Sequence, residues 1–499
     1  MNRSMTGPRL VIVGAGIAGL TAGCYAARSG YRTTILEMGQ VPGGLCTSWR
    51  RNGYLFDGSV AGLAGTSPEA PIYRLWRDIG VVDYCSLYDP VDFGTIVAPD
   101  GRAVTVYTDI DRLEAHLLES FPRDDAAIGA FTRALRACLH LDIPFRAEAG
   151  RAGYVAGART AVASLRSLPA VIKYGRLTLR AFNSRLEDPF CRQVFDNLVH
   201  FGGPDVPMLT VLLPIAYAHR KMTGIPRHGW LAFGRAVERR FLELGGEVRY
   251  GAKVERLEVA GGAVRGVRLA GGELVAADRV LSAADGRFTR TVLLGEDDGA
   301  RFDPRRVSDQ PVQVNLGVAE DWSASGALTY LLPDAPSAAG RPQSRVTVQN
   351  KHYDPHAAPL GKSALTVFLE SDYAFWKTLE EDRTAYEAEK DRCAGLVTEA
   401  IGRHRPGFAE TVEVIDVSTP LTRERYTGNW LGAMQAFRPD AGMIRTLLQG
   451  SPRYDEPGLA GFYSAGQWVE SWGGITTAAQ SGRNAVRALC KNDGTRFAY

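Results

Sequence analysis

The hydrophobic pattern changes period twice within the first thirty-seven residues. Residues 10–13 form a short apolar run, residues 20–28 carry apolar side chains at helical spacing, and residues 33–36 form a second apolar run closed by the acid Glu37. Gly14, Gly16 and Gly19 stand between the first run and the helix. Strand, glycine turn, helix, strand and acid is the order a dinucleotide-binding βαβ unit requires. Gly14 permits the tight turn, Gly16 lets backbone approach a pyrophosphate, and Gly19 lets the helix pack close to the strand. Ala15, Ile17 and Ala18 complete the turn, whose first helical amides face the phosphates. Glu37 is spaced to accept hydrogen bonds from a ribose 2′-OH. This unit alone does not separate FAD from NAD.

Period-two alternation returns at residues 248–285, where Gly-Gly turns predict a hairpin followed by a strand, 279–283, that rejoins the first sheet. Residues 461–482 predict a strand (462–464), a turn at Ala465-Gly466, a second turn at Gly473-Gly474 and a helix from Ile475. A helix N-terminus beside Gly-Gly suits the electron-rich pyrimidine edge of a flavin. Pro42-Gly43-Gly44 is a further turn, and residues 53–58 read as an edge strand. Helices are predicted over 67–80, 108–121, 125–140 and 382–401. Alternation within 305–318 and 344–370 predicts sheet beneath a substrate cavity.

Composition narrows the setting. A chain of 499 residues exceeds the size of one core, so two joined domains are expected. A net charge of +3 gives no reason to expect a nucleic-acid partner. The first eight residues do not read as a signal peptide, and no apolar stretch is long enough for a transmembrane helix. The seven cysteines are scattered without CxxC spacing, which predicts neither disulfide framework nor metal site and suits a reducing cytoplasm. Between Glu148 and Glu187 there are seven bases and no acid, with Arg159, Arg166, Lys173 and Arg180 spaced by seven. Residues 151–185 therefore read either as an amphipathic segment making peripheral membrane contact on the inner face, or as a solvated basic helix pair broken at Pro169.

Taken together, GAGIAGL, PGGLCTSW with the following FDGS, the block ending VLSAAD and the closing AGQW…GGITTAAQSGRNA resemble the FAD-dependent amine oxidase/phytoene desaturase superfamily. The similarity points to its bacterial phytoene desaturase-like and retinol saturase-like branch. His200 to Asp205 and Cys490 to Gly494 fit that branch as well. The resemblance implies an α/β protein: a Rossmann-type, glutathione-reductase-like, discontinuous FAD-binding domain of residues 8–70, 226–295 and 455–492, and a mixed α+β substrate domain of residues 71–225 and 296–454. It implies non-covalent FAD, since Ser471 and Trp472 occupy the loop where tethering relatives use cysteine. It places Gly14, Ala15, Gly16 and Gly19 at the pyrophosphate, Glu37 at the ribose and Val254 at adenine. Gly43, Gly44 and Leu45 fall near the ribityl chain, and Gly466, Gly474 and Ile475 along ribityl and isoalloxazine. Two departures stand out. Leu45 replaces the cation that many relatives carry after Gly-Gly, and Ser59-Val60-Ala61 replaces their histidine and aromatic residue.

The activity implied is desaturation of an apolar polyene, isoprenoid or secondary-metabolite substrate by hydride transfer to flavin N5, with dioxygen, a quinone or a partner protein accepting the electrons. Alternatives are a saturase or cis–trans isomerase on reduced FAD, an amine oxidase, and a non-catalytic FAD-binding partner protein. Trp468, Trp472 and Glu470 bracket the late turn, and Trp430 reads as a cavity wall. His228, Tyr426, His200, His219, His352, Tyr353, Glu370 and Gln435 are further polar candidates in or beside the substrate segments.

Overall fold

The computed structural model describes residues 7–59, 62–141, 169–198, 203–297, 299, 302–438, 452–470 and 473–499. A five-stranded parallel sheet gathers β1 (Arg9–Val13), β2 (Arg32–Leu36), β3 (Glu247–Arg249), β4 (Arg279–Ser282) and β5 (Phe462–Ser464) in the order β3-β2-β1-β4-β5. Its centre, β1, pairs Val11 with Thr34 on one side and Val280 on the other. Parallel strands covered on both faces must be apolar throughout, and Leu10, Val11, Ile12 and Val13 are all buried. The strand predicted at 279–283 does rejoin this sheet.

Helices α1 (Ile17–Arg28), α2 (Trp230–Glu243) and α3 (Ile475–Asp493) pack around one core with Trp76, Trp230 and Phe233. The approach of α1 and α3 depends on a missing side chain: a Cβ on Gly482 would fall 2.2 Å from the Ala18 carbonyl oxygen. Val254–Ala260, Ala263–Leu269 and Leu274–Ala276 form the predicted hairpin as a three-stranded antiparallel sheet beside β4.

A seven-stranded mixed sheet faces this unit. Its order is Val412–Ser418, Val312–Val318, Ser363–Leu369, Arg345–Asn350, Leu328–Leu331, Asp92–Val97 and Ala103–Tyr107. The alternation in Val312–Val318 does not mark a solvent face, because all seven residues are buried. Its polar positions instead serve the interior: Gln313 Nε2 donates to the Asp57 carbonyl at 2.7 Å, and Asn315 Nδ2 to the Asp416 carbonyl at 3.1 Å.

Helices Ile110–Ser120, Asp125–Cys138 and Arg383–Gly402 lie within two residues of the predicted bounds, but the one expected over 67–80 is only Tyr73–Asp78. Residues 67–72 are used for turns, with the Ala70 N–H donating to the Ser67 carbonyl. Residues 53–58 supply Tyr54–Asp57, buried throughout and paired with Ser48–Arg51 in a hairpin. Most of the basic segment 151–185 lies outside the described residues. Of its described bases, Arg180 is bidentate to Asp205. Among the described residues no helix is long and apolar enough to cross a membrane.

Candidate functional site

A cavity of about 1460 Å³ opens where the C-terminal ends of β1, β2 and β4 face the seven-stranded sheet. Ordinary small-molecule sites span roughly 300–1,000 Å³, so this one has room for a large cofactor and a further ligand. One wall is backbone. Gly14, with φ +98°, turns the chain from β1 into α1. A Cβ on Gly16 would meet nothing within 4 Å, and a Cβ on Gly474 likewise, so both glycines open onto free space. These two residues are the N-caps of α1 and α3, and neither helix has a side-chain cap. Two sets of uncapped helix amides thus sit on one cavity, an arrangement that favours negative charge.

Of the residues assigned from sequence to the cofactor, Gly14, Gly16, Ile17, Ala18, Glu37, Gly43, Gly44, Leu45, Val254, Gly466, Gly474 and Ile475 line this cavity. Gly19 and Ala15 stand behind it. A Cβ on Gly19 would fall 2.0 Å from the Gly14 carbonyl oxygen, so its role is close packing. Ala15 is fully buried, and its N–H donates to Glu37 Oε2 at 2.7 Å. Glu37 Oε1 accepts from the Gly39 N–H at 2.7 Å, which fixes the carboxylate while leaving lone pairs on both oxygens. Gly43 donates to the Ala15 carbonyl at 2.9 Å, bringing the Pro42-Gly43-Gly44 turn onto the same wall. Cys46 also lines it, and burial pushes its thiol up.

The opposite wall is made of side chains. Trp468 is 3 % exposed, donates from Nε1 to Asn429 Oδ1 at 3.1 Å, and packs against Phe302, Trp430 and Phe437. Trp430 stands behind it, outside the cavity lining, with its N–H donating to Asp285 Oδ2 at 2.9 Å. Tyr426 lines the mouth and is exposed, while Gln435 lines the interior beside Gly473.

The other candidates are elsewhere. Glu470 does not line the cavity, because the Tyr454 hydroxyl draws its carboxylate away. His228 is half-exposed and turned to Asp354, with Nδ1 3.6 Å from Oδ1. His219 Nδ1 accepts from the Ile110 N–H at a helix start. His352 meets the Tyr88 hydroxyl at 3.2 Å, Tyr353 stacks on Tyr88, and Glu370 faces Arg345. Trp472 and His200 lie outside the described residues, as do Val60 and Ala61. Among the described residues no cluster of metal-ligating side chains occurs.

Sequence reasoning passed over three residues of this wall. Asp285 ends the quoted VLSAAD block; burial raises its carboxyl, while N–H groups of Trp430, Phe288 and Arg287 pull it back. Asp416 accepts from Trp49 Nε1 at 2.8 Å and from Arg51. Arg423 is buried, although Arg-Glu-Arg at 423–425 looks like a solvated run. Behind the wall, Lys351 and Asp57 form a buried ion pair that joins the seven-stranded sheet to the hairpin.

The model of flavin containing amine oxidoreductases matches residues 17–490. The chain belongs to that family. A member of it is a flavin-dependent oxidoreductase, and the glycines assigned from sequence to the cofactor converge on this cavity. This family member is 26% identical over 295 residues to a lycopene-forming phytoene desaturase of Pseudescherichia vulneris, covering 58% of each chain. It is 22% identical over 499 residues to a chloroplastic prolycopene isomerase of Daucus carota, covering 95% of this chain and 78% of that one. The match thus spans little more than half the length of the bacterial desaturase. Among solved structures, an oxidoreductase from Methanosarcina mazei superimposes with a TM-score of 0.58 at 16% identity, covering 96% of this chain and 100% of that one, which shows a shared fold.

Proposed function

We propose that the cavity binds FAD without a covalent bond and that the enzyme desaturates an apolar, polyene-like substrate. The observation that carries the cofactor reading is the pair of uncapped helix N-termini, at Gly16 and Gly474, flanking one open glycine wall. Diphosphate suits the amides of α1, and the electron-rich pyrimidine edge suits those of α3. Glu37 would take the ribose hydroxyls and Val254 would present its backbone to adenine. Residues 8–70, 226–295 and 455–492 would form the flavin unit and residues 71–225 and 296–454 the substrate unit.

When bound, the flavin supplies hydride acceptance at N5. The chain's own residues position and enclose. Trp468, backed by Trp430, Phe302 and Phe437, forms an apolar face that excludes water. Asp285 holds the 430 loop against the end of β4 through the Trp430 N–H. No candidate histidine among the described residues lines the cavity, so proton removal is not assigned to an imidazole. The named activities of the phytoene desaturase and the prolycopene isomerase support an apolar, polyene-like substrate; dioxygen, a quinone or a partner protein would take the electrons. The isomerase, matched along most of its length, favours a second reading: cis–trans isomerisation on reduced FAD.

The test begins with the purified protein. A yellow chromophore released intact by acid and identified as FAD is expected; FMN, or flavin retained on the denatured chain, would overturn the cofactor reading. Anaerobic bleaching by an all-carbon polyene is expected for desaturation. Bleaching by primary amines alone would overturn it, and isomerised product without bleaching would select the second reading.

A further inference from the structure

Arg423 is the anomaly of the side-chain wall. It lines the cavity and is only 7 % exposed. Nε donates to the Gly432 carbonyl at 2.9 Å and an Nη2 hydrogen goes to the Pro311 carbonyl, while Nη1 is buried without any partner. Among the described residues no carboxylate pairs with it. Asp285 and Asp416 line the same cavity, yet each is committed to other donors. Burial alone acts on the group, pushing it down to about 9. A guanidinium taken out of water without an anion is costly, and neutral carbonyls do not replace the missing charge. A partly buried arginine elsewhere is compensated: Arg290 bonds Glu296 and Glu456. Leu45, on the glycine wall of this cavity, brings no cation to it.

We propose that Arg423 is the anion anchor of this cavity, taking a negatively charged oxygen of whatever occupies the space beside Gln313 and Gln435. This rests on the flavin reading above and deepens it. Two sources offer that chemistry: the flavin dinucleotide itself, or a carboxylate on an otherwise apolar substrate. The planar guanidinium fork suits either oxygen geometry better than an ammonium does.

The experiment compares wild-type holoprotein with Arg423→Met and Arg423→Lys. Flavin content of the wild type reports on the flavin reading alone; differences between the variants report on Arg423. If the flavin is the source, R423M binds FAD at least tenfold more weakly, or its flavin potential moves by about 30 mV or more to the negative, the equivalent of tenfold for two electrons. R423K, which keeps the charge but loses the planar fork, falls between the two, at least threefold weaker than wild type. If the substrate is the source, flavin affinity and potential are unchanged. The flavin spectral shift on titration with oleate then weakens at least tenfold in R423M, while that with oleyl alcohol does not change. R423M matching wild type in FAD affinity, potential and oleate response would overturn the proposal. Should R423M not fold, R423K decides: a threefold or larger loss in any of these readouts supports the anchor, and wild-type values overturn it.

Discussion

The two walls of the cavity are built on opposite principles. The wall from β1, α1 and α3 presents backbone: glycines, uncapped amides and one fixed carboxylate, Glu37. The opposite wall presents side chains: Gln435, Asp416 and Arg423 from the seven-stranded sheet and the 420–435 loop, and Trp468 from the turn after β5. A backbone wall recognises what any flavin dinucleotide has in common. A side-chain wall can differ between relatives without touching the fold of the first. On the proposed reading, cofactor choice would be local and glycine-driven, while substrate choice would depend on residues brought from afar.

That contrast can be broken first at its joint. Lys351→Met would leave Asp57 buried without its cation, and breaking such a pair costs about 3–5 kcal/mol. Urea unfolding should show a correspondingly lower midpoint; an unchanged midpoint would mean the two walls are not joined there.

Two glycine substitutions then sharpen the comparison within one wall. Gly482→Val drives a side chain into the Ala18 carbonyl and should destabilise the fold by about 3 kcal/mol, read by thermal melting of the apoprotein. Gly16→Val places its Cβ in open space and should leave apoprotein stability within about 0.5 kcal/mol, yet weaken FAD roughly a hundredfold, about 2.8 kcal/mol, in a flavin titration. Equal effects of the two on melting would erase the distinction between packing and binding glycines.

Glu37→Ala should cost FAD roughly tenfold in the same titration, because the Ala15 and Gly39 amides lose their common acceptor.

The smallest effect concerns the other wall and depends on pH. Burial raises the Asp285 carboxyl above its unfolded value. A raised carboxyl binds its proton more readily when folded, so its contribution is full below the ordinary carboxylate range and declines as pH rises through the folded value. Asp285→Asn removes this dependence. The stability of wild type relative to D285N should therefore fall between acid and neutral pH in chemical denaturation; a constant difference would show that Asp285 titrates alike in both states.

How much was legible follows the same division. Gly14, Gly16, Gly19 and Glu37 lie within one short stretch, and the requirement for a tight turn with close helix packing restricts residue type at each. Gly43, Gly466 and Gly474 were readable for that reason too. Glu470 and His228 were chosen for chemistry and proximity in sequence, but a Tyr454 hydroxyl and Asp354 turn them elsewhere. Arg423 gave no sign, because burial is a property of the fold and a charged triplet in a polar run looks solvated.

The parallel sheet and the glycine wall thus follow from short-range steric rules and period, and the flavin family from the resemblance that the quoted motifs carry. Which side chains face that wall is set by long-range packing. Asp285, Asp416, Arg423 and Trp468 come from four separate stretches, and long-range packing alone sets whether each meets the cavity, a partner or solvent.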